Sequence, residues 1–487
     1  MSSSSAAGWA LLEPYVIRKD DDESFPDEAE APFRASSVTS WGSGFRVAFS
    51  LAEPPRISRL YAKMPVPLVP PPWKPTPVGI LATHRHLTLL PFYTKTPHGA
   101  VLQDMFVFRA NQSNPSESSL HALPPCTEPK LYYYPDDGSL HGPPPGTPRL
   151  LQPRSLGLWC GDEDEFVVAE LRIHIPPTQY LFTAFADILM LHGRCISSYS
   201  SRWKSMRVEI LCTNHPDDLW KLCHWQPDTA IAVQRWLCWI DYHQGILFCD
   251  MSRLPNPTVT FISFPLNISS PLIASNRTRN ILYSCVSVVS HQGGNALKFA
   301  NVAHHDDGLA AYGALNPSNG FTITCHTLVL GGFSMEWEDY STVTSDDLGG
   351  YPDDCLQHGT LKFPRVDFDR PHVVHFLSVG FGCAHNKMWV VSIDMSTKTV
   401  ESSYLFMNGT ERLLPVDTRF IIKKLTSPLP FLACEFPRFC SLSRYEEEGY
   451  GMRPVCQLHR PTILFHLNIR WFHKKKAFVD CRACQQN

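Results

Sequence analysis

Lys387-Met388-Trp389-Val390-Val391-Ser392-Ile393-Asp394, followed by Met395-Ser396-Thr397 and then Lys398-Thr399-Val400-Glu401-Ser402-Ser403-Tyr404, is the stretch on which the fold turns. Trp389, Val391 and Ile393 recur at period two, so they share one face of a strand. Asp394 can accept hydrogen bonds from the backbone N–H groups just beyond it, which closes a turn and returns the chain along a second strand. The segment reads as a β-hairpin. A similar layout recurs at Trp239-Ile240-Asp241, Gly245 to Asp250 and Thr258 to Ile262. Repeated hairpins that carry an aromatic on the ascending strand and Asp at its end suit β-propeller blades, because stacked blades bury both faces of each sheet. The hairpins do not align to a fixed repeat, and a two-sheet sandwich assembly competes on pattern alone.

Outward from these hairpins the strand signal continues. Phe45 to Leu51 alternates, while Phe166 to Ala169 and Gly245 to Phe248 are continuous apolar runs; both are strand forms. No segment offers several turns of apolar residues at helical spacing without a Pro or Gly interruption. The 42 prolines in 487 residues exceed the ~5% of ordinary chains and oppose long helices. The expected class is all-β: a β-propeller-like array of antiparallel hairpins spanning 41–444. An acidic, partly disordered segment precedes it at 1–40, where Asp20 to Glu23 and Asp27 to Glu30 cluster, and a basic, disordered tail follows at 445–487. The proline-rich runs Pro65 to Pro77 and Pro143 to Pro148 read as stiff surface loops rather than polyproline ligands.

Charged residues make up 18% and hydrophobic ones 44% of the chain, and the net charge is -3. That balance excludes a wholly disordered chain and the global basicity of a general nucleic-acid binder. No apolar stretch approaches the ~20 residues that a membrane-spanning helix needs. The 16 cysteines are spread widely, and Met1 to Gly8 lacks a basic stretch followed by an apolar one. Free thiols in the cytoplasm or nucleus are therefore expected, with no secretory leader and no membrane contact. The sequons at Asn111, Asn267, Asn276 and Asn408 then read as chance matches.

Arg235 to Tyr242, Gly245 to Asp250 and Phe261 to Leu266 together resemble the core of a plant family, expanded in grasses and known as domain of unknown function sixteen-eighteen. The pairing of Trp-x-x-Trp-x-Asp with Gly-Ile-Leu-Phe-x-Asp is the most specific part. Trp9 to Leu12, Phe45 to Leu60, Asp164 to Leu171 and Phe368 to Phe406 are similar to further segments of that family, in the same order. The resemblance implies kinship with the β-propeller-like modules that follow F-box segments in plant proteins, although no F-box-like helical segment is read ahead of the core here. It implies no catalytic residue, substrate or cofactor. Trp236, Trp239, Asp241, Gly245, Phe248, Asp250 and Pro265 are expected to be structural: the aromatics as buried apolar groups, the two Asp residues as strand-end anchors.

Candidate chemistry is sparse. His304-His305-Asp306-Asp307-Gly308 is rich in metal-ligating types, but adjacent strand residues point to opposite faces, and a polar turn is the better reading. His84 and His86 share a strand face and border the apolar run Leu87 to Leu90. Cys481-Arg482-Ala483-Cys484, with Cys456, His459, His466 and His473 upstream, matches no standard zinc spacing. Gly42-Ser43-Gly44 is not a nucleophile elbow, no Ser, His and acid set stands out, and there is neither a phosphate-binding glycine loop nor His-Glu-x-x-His. No metal or cofactor is expected.

Between Gly451 and Asn487, Arg453, Arg460, Arg470, Lys474, Lys475, Lys476 and Arg482 face Asp480 alone. A solvated tail is preferred there over a nuclear-import signal or a nucleic-acid contact that uses Trp471 and Phe472. The functional expectation is a non-enzymatic scaffold that presents loops to an unidentified protein partner. The rival is a glycosidase-like hydrolase with two acids ~5 to 9.5 Å apart in a central channel.

Overall fold

The structure is a computed structural model that describes residues 8–64, 78–95, 101–111, 114–128, 146–161, 165–176, 183–194, 202–212, 217–265, 283–292, 294–305, 320–330, 335–348, 359–380, 388–407 and 430–435. The basic tail 445–487, the Pro65 to Pro77 run, the first half of the Pro143 to Pro148 run, Asp306 to Gly308 and the Cys481 to Cys484 motif lie outside them. The chain clusters into two units, Met1–Tyr445 and Glu446–Asn487; the architecture that follows is that of the first.

Strands dominate, as the period-two patterning predicts. β1 (Ala10–Arg18), β2 (Phe33–Val38), β3 (Gly44–Ser50) and β4 (Ile57–Lys63) begin the first sheet. β5 (Ala82–His84), β6 (Leu87–Lys95), β7 (Val101–Arg109) and β8 (Ser119–Ala122) form the second. β9 (Leu156–Cys160), β10 (Glu165–His174), β11 (Phe185–Arg194) and β12 (Trp203–Leu211) form the third. After the short helix α1 (Asp218–Cys223), β13 (Thr229–Val233), β14 (Trp236–Asp241), β15 (Gly245–Asp250) and β16 (Val259–Ser263) form the fourth. The fifth comprises β17 (Ser284–His291), β18 (Gly294–His304), β19 (Phe321–Val329) and β20 (Trp337–Thr344). The sixth comprises β21 (Gly359–Val366), β22 (Val373–Gly380), β23 (Met388–Asp394) and β24 (Thr399–Met407).

Sheets two to six are antiparallel meanders in chain order. The outer strands of the third and fourth also touch: Ile210 and Leu211 of β12 pair in parallel with Val259 and Thr260 of β16, joining the two meanders into one eight-stranded sheet. β25 (Leu432–Cys434) then returns to pair antiparallel with β1, which itself runs parallel to β4. The first sheet is thereby built from both ends of the unit, in the order β2-β3-β4-β1-β25.

The apolar cores show how the sheets stack. One cluster joins sheets one and two through Phe45, Phe49, Phe92 and Phe106. Another joins two and three through Leu89, Val107, Leu158 and Val168. Val167, Ile188, Trp239 and Phe261 join three and four, and Cys238, Phe248, Leu297 and Phe299 join four and five. Ile323, Val343, Phe376 and Ile393 join five and six. The last cluster places Trp9 and Leu11 of the first sheet against Leu377, Met388 and Val390 of the sixth. Six sheets packed face to face and returning to the first make a closed ring, the arrangement of a six-bladed β-propeller.

This stacking explains the sequence. In β14 and β15 every residue is buried; Leu237 and Trp239 face one neighbouring blade, while Trp236, Cys238 and Ile240 face the other. A strand covered on both faces needs a continuous apolar run rather than an alternating one. Indole N–H groups add latches between blades: Trp239 Nε1 donates to the Ser155 carbonyl at 2.8 Å, Trp159 Nε1 to Gln234 at 2.9 Å and Trp337 Nε1 to Ser263 at 2.9 Å. The hairpin at Met388 to Met407 forms as read, with Asp394 accepting from the backbone N–H groups of Ser396 (2.8 Å) and Thr397 (3.1 Å).

The expectation of a partly disordered segment over 1–40 needs correction for the described residues alone, 8–40. Trp9 and all nine residues of β1 are buried, because β1 lies between β4 and β25 with a blade on either side. Glu13-Pro14 conceals the strand in the sequence, and the pairing register with β4 shifts there, between Leu12 and Val16. β2 completes the outer edge of the same sheet. The acidic run is folded into turns: Asp21 and Asp27 accept from the backbone N–H groups of Ser24 and Glu30, and Asp22 pairs with Arg46 and Lys63.

Candidate functional site

The residues that carry the family resemblance meet in the β14–β15 hairpin of the fourth blade. Trp236 lies edge-on to Phe248, with ring centroids 5.9 Å apart, on the side facing the fifth blade. Trp239 is on the opposite side, fully buried. Asp241 organises the end of β14, where its carboxylate oxygens accept from the backbone N–H groups of His243 (2.9 Å) and Gln226 (2.6 Å). Gly245 follows at φ +153°, where an added Cβ would fall 2.2 Å from the Ile262 carbonyl oxygen, so no side chain fits. Pro265 is exposed just beyond β16.

Asp250 ends β15 and connects this core to the surface. Its Oδ1 accepts from the Ser252 N–H at 3.1 Å and from the Ser252 hydroxyl at 2.6 Å. Its Oδ2 faces two guanidinium groups, Arg235 Nε at 3.6 Å and Arg253 Nε at 3.5 Å. Arg235 comes from the tight β13–β14 turn, where Gln234 takes φ +51°, and its guanidinium lies 4.7 Å from the Trp236 ring centroid. Arg253 comes from the single 3-10 turn Met251–Arg253. The carboxylate is 2% exposed, whereas the two arginine side chains are 58% and 62% exposed.

The structure also assembles a constellation that sequence reading missed. Asp367, just past β21, His375 of β22, Ser392 of β23 and Ser402 of β24 form a row across the sixth blade. Asp367 Oδ2 is 3.2 Å from His375 Nε2, His375 Nδ1 is 2.9 Å from Ser392 Oγ, and the Ser402 hydroxyl donates to Ser392 Oγ at 3.1 Å. Cross-strand register puts them together: His375 lies opposite Ser392, and Ser392 opposite Ser402. The available signal was a polar residue at one position of each apolar strand. Burial opposes ionisation of Asp367, but the His375 hydrogen bond and charge outweigh it, with help from the Arg370 N–H and guanidinium, and hold this carboxyl below its usual range. The order acid, imidazole, hydroxyl is that of a nucleophile relay. Here Ser392 is 0% exposed and His375 1%, so the row is enclosed within the blade.

The two-histidine reading at His84 and His86 is resolved similarly. His84 is buried and its Nδ1 accepts from the Cys160 N–H at 2.8 Å, linking the second blade to the third. Burial, reinforced by Arg85 and His86, pushes its imidazole down to about 3, so it is neutral. His304 Nε2 lies 3.3 Å from the Leu361 carbonyl, and His305 Nε2 lies 2.7 Å from Thr322 Oγ1. Among the described residues, no group of three His, Cys, Asp or Glu side chains could hold a metal ion. Other buried charges brace the ring. Glu170 accepts from Arg149 and from the Gln152 N–H, and the Arg365 guanidinium donates to the Val286 and Phe431 carbonyls, tying the sixth blade to the fifth and to the approach of β25. No helix among the described residues is long and apolar enough to cross a membrane.

Comparison with known proteins adds a family for part of the ring. Residues 239–375 match the family described as "Protein of unknown function (DUF1618)". The match takes in Trp239-Ile240-Asp241, all of β15 and the fifth blade, and ends at His375. Trp9 to Leu12 and Phe45 to Leu60 lie outside it. No curated protein matches the chain. Among solved structures, the catalytic domain of a GH62 α-L-arabinofuranosidase from Coprinopsis cinerea is similar at 9% identity and a TM-score of 0.27, covering 78% of this chain and 92% of that one. The α-L-arabinofuranosidase PaAbf62A from Podospora anserina matches at 10% identity and 0.25, with the same coverages. The α-L-arabinofuranosidase Arb93A from Fusarium graminearum matches at 8% identity and 0.26, covering 80% and 98%.

Proposed function

Taking as premise the match of residues 239–375 to a family of unknown function, we propose that this chain is a non-catalytic recognition scaffold whose closed ring of blades presents turns and loops to a protein partner. The observation that carries this reading is the enclosure of the Asp367–His375–Ser392 row. This set has the residue types and order of a hydrolytic relay, yet its hydroxyl is 0% exposed and takes a hydrogen bond from Ser402. Asp241 and Asp250 act likewise on neighbouring backbone N–H groups. The exposed parts of the blades are turns held by a rigid sheet framework, which is where binding residues commonly reside. Placement in the cytoplasm or nucleus accompanies the reading and is supported by the buried free thiols of Cys126, Cys238, Cys249, Cys285 and Cys325.

The test uses the full chain, because β1 belongs to the first blade. Affinity capture from cell extract, followed by reconstitution with the purified candidate, is expected to return one partner in fixed stoichiometry. Absence of any reproducible partner overturns the reading. So does turnover of chromogenic glycosides by the purified chain that is lost on replacing a single carboxylate.

A further inference from the structure

Arg235 and Arg253 are 18 positions apart in sequence, yet both guanidinium groups reach one oxygen of one carboxylate, Asp250 Oδ2, at 3.6 and 3.5 Å. Two positive charges therefore share one buried negative charge, leaving a net positive group at the surface of the fourth blade. Neither guanidinium donates a hydrogen bond to a described residue, so their N–H forks are available, and both side chains are more than half exposed. They are not free to wander. Arg235 is stacked on Trp236 at 4.7 Å, and Met251 donates its N–H to the Arg235 carbonyl at 2.8 Å, fastening the β13–β14 turn to the start of the 3-10 turn that carries Arg253. Asp250 is fixed in turn by Ser252.

Solvation alone requires no such framework, since an exposed arginine gains little from one surface ion pair and loses side-chain entropy in forming it. A pair of guanidiniums held side by side with unused donors matches the oxygens of a phosphate or of neighbouring carboxylates. Fixing the forks in advance lowers the ordering cost of binding. Building on the scaffold reading above, we propose that Arg235 and Arg253 form the docking site for an anionic group on a protein partner: a phosphorylated Ser or Thr, or a run of Asp and Glu. Charge and burial favour a peptide over nucleic acid. The chain carries a net charge of -3, and Trp236, which lies under Arg235, is only 7% exposed, so its ring offers little face on which a base could stack.

Fluorescence anisotropy on the full chain at low salt tests this with three labelled probes: a phosphoserine nonapeptide in a Gly-Ser background, hexaglutamate, and a deoxythymidine 12-mer. One of the two peptides is expected to bind saturably, and which one does so identifies the source of the anion. Its affinity falls with added salt, and falls about tenfold or more in the Arg235→Gln/Arg253→Gln double variant. Arg253→Lys, which keeps the charge but loses the fork, falls in between. Circular dichroism and thermal unfolding confirm that each variant is folded; Arg253→Gln alone, at the more exposed position, serves if the double variant is not. Three results overturn the proposal: no saturable binding of either peptide at about 5 mM, equal affinity in the variants, or tighter binding of the 12-mer that the same variants abolish. A partner captured equally by wild type and double variant removes this site while leaving the scaffold reading intact. Absence of any partner removes that reading itself.

Discussion

The indole of Trp9 lies against the imidazole of His375, ring centroids 5.9 Å apart and planes tilted by 37°. One residue precedes β1 and the other sits in the sixth blade, so the contact closes the ring beside the buried Asp367–His375–Ser392 row. Ring closure in this chain thus depends on its N-terminal strand as much as on β25.

Trp9→Ala should therefore destabilise the folded unit by about 3 to 5 kcal/mol, the usual cost of truncating a buried Trp. Deleting residues 1–18 should abolish cooperative unfolding, because β4 and β25 would lose the strand between them. Denaturant titration followed by tryptophan fluorescence is the measurement. A deletion variant as stable as the full chain would show that β1 is dispensable.

The hairpins were legible in sequence because their signals are local. Asp394 sits next to the N–H groups it accepts from, and the apolar runs of β14 and β15 follow from burial on both faces. β1 was not legible, since Glu13-Pro14 breaks its pattern and its partners lie far along the chain, at Ile57 to Ala62 and Leu432 to Cys434. The polar row in the sixth blade and the Arg235–Arg253 pair escaped for a related reason. Register between strands and convergence of two turns bring those side chains together, and neither leaves a short spacing to read.

Trp239→Ala should cost about 3 to 5 kcal/mol, while Trp239→Phe should cost less but still leave the Ser155 carbonyl without its 2.8 Å donor. Gly245→Ala should be nearly as damaging as Trp239→Ala, because its Cβ would collide with backbone rather than with a flexible side chain. Urea midpoints of the three variants decide the ranking. A silent Gly245→Ala would show that the β15–β16 register can slip.

Stability should fall in mild acid on account of His84. Its imidazole is held neutral in the fold, with its pKa near 3 against 6.5 for the free group, so the unfolded chain binds a proton that the folded chain does not. The contribution is complete above pH ~6.5 and is lost progressively between there and pH ~3, reaching the order of 5 kcal/mol. His84→Asn keeps an acceptor for the Cys160 N–H but does not titrate. It should flatten the stability profile across that window, as measured by urea unfolding at a series of pH values. An unchanged slope would mean that His84 is protonated in the fold.

Reductant should leave the melting temperature unchanged. Cys126, Cys238, Cys249, Cys285 and Cys325 are buried free thiols, and Cys238 and Cys249 are 0% exposed apolar-core residues. Loss of a native disulfide typically removes ~2 to 5 kcal/mol, so a clear fall in calorimetric melting temperature on adding reductant would contradict this expectation.

The Asp367–His375 pair should show coupling beyond the sum of its parts. Asp367→Asn removes the acceptor of His375 Nε2 and weakens the hold on the Asp369 and Arg370 N–H groups, which its Oδ1 accepts at 3.0 and 2.9 Å. The expected cost is about 2 to 4 kcal/mol, since one partner of a buried charged hydrogen bond is left behind. His375→Phe keeps the ring volume against Trp9 but takes the imidazole partner from both Asp367 and Ser392. With the two changes combined, the second should cost less than it does alone, giving an interaction energy of about 1 kcal/mol or more in a double-mutant cycle. The pH dependence carries an independent sign. The Asp367 carboxyl is held below 3.8 in the fold, so its contribution is present above that pH and is lost as pH falls through the lowered value. Asp367→Asn should remove that part of the acid sensitivity and leave the His84 window untouched. Simple additivity in the cycle, with no change in the acid limb, would mean that the row fills space without acting as a hydrogen-bonded unit.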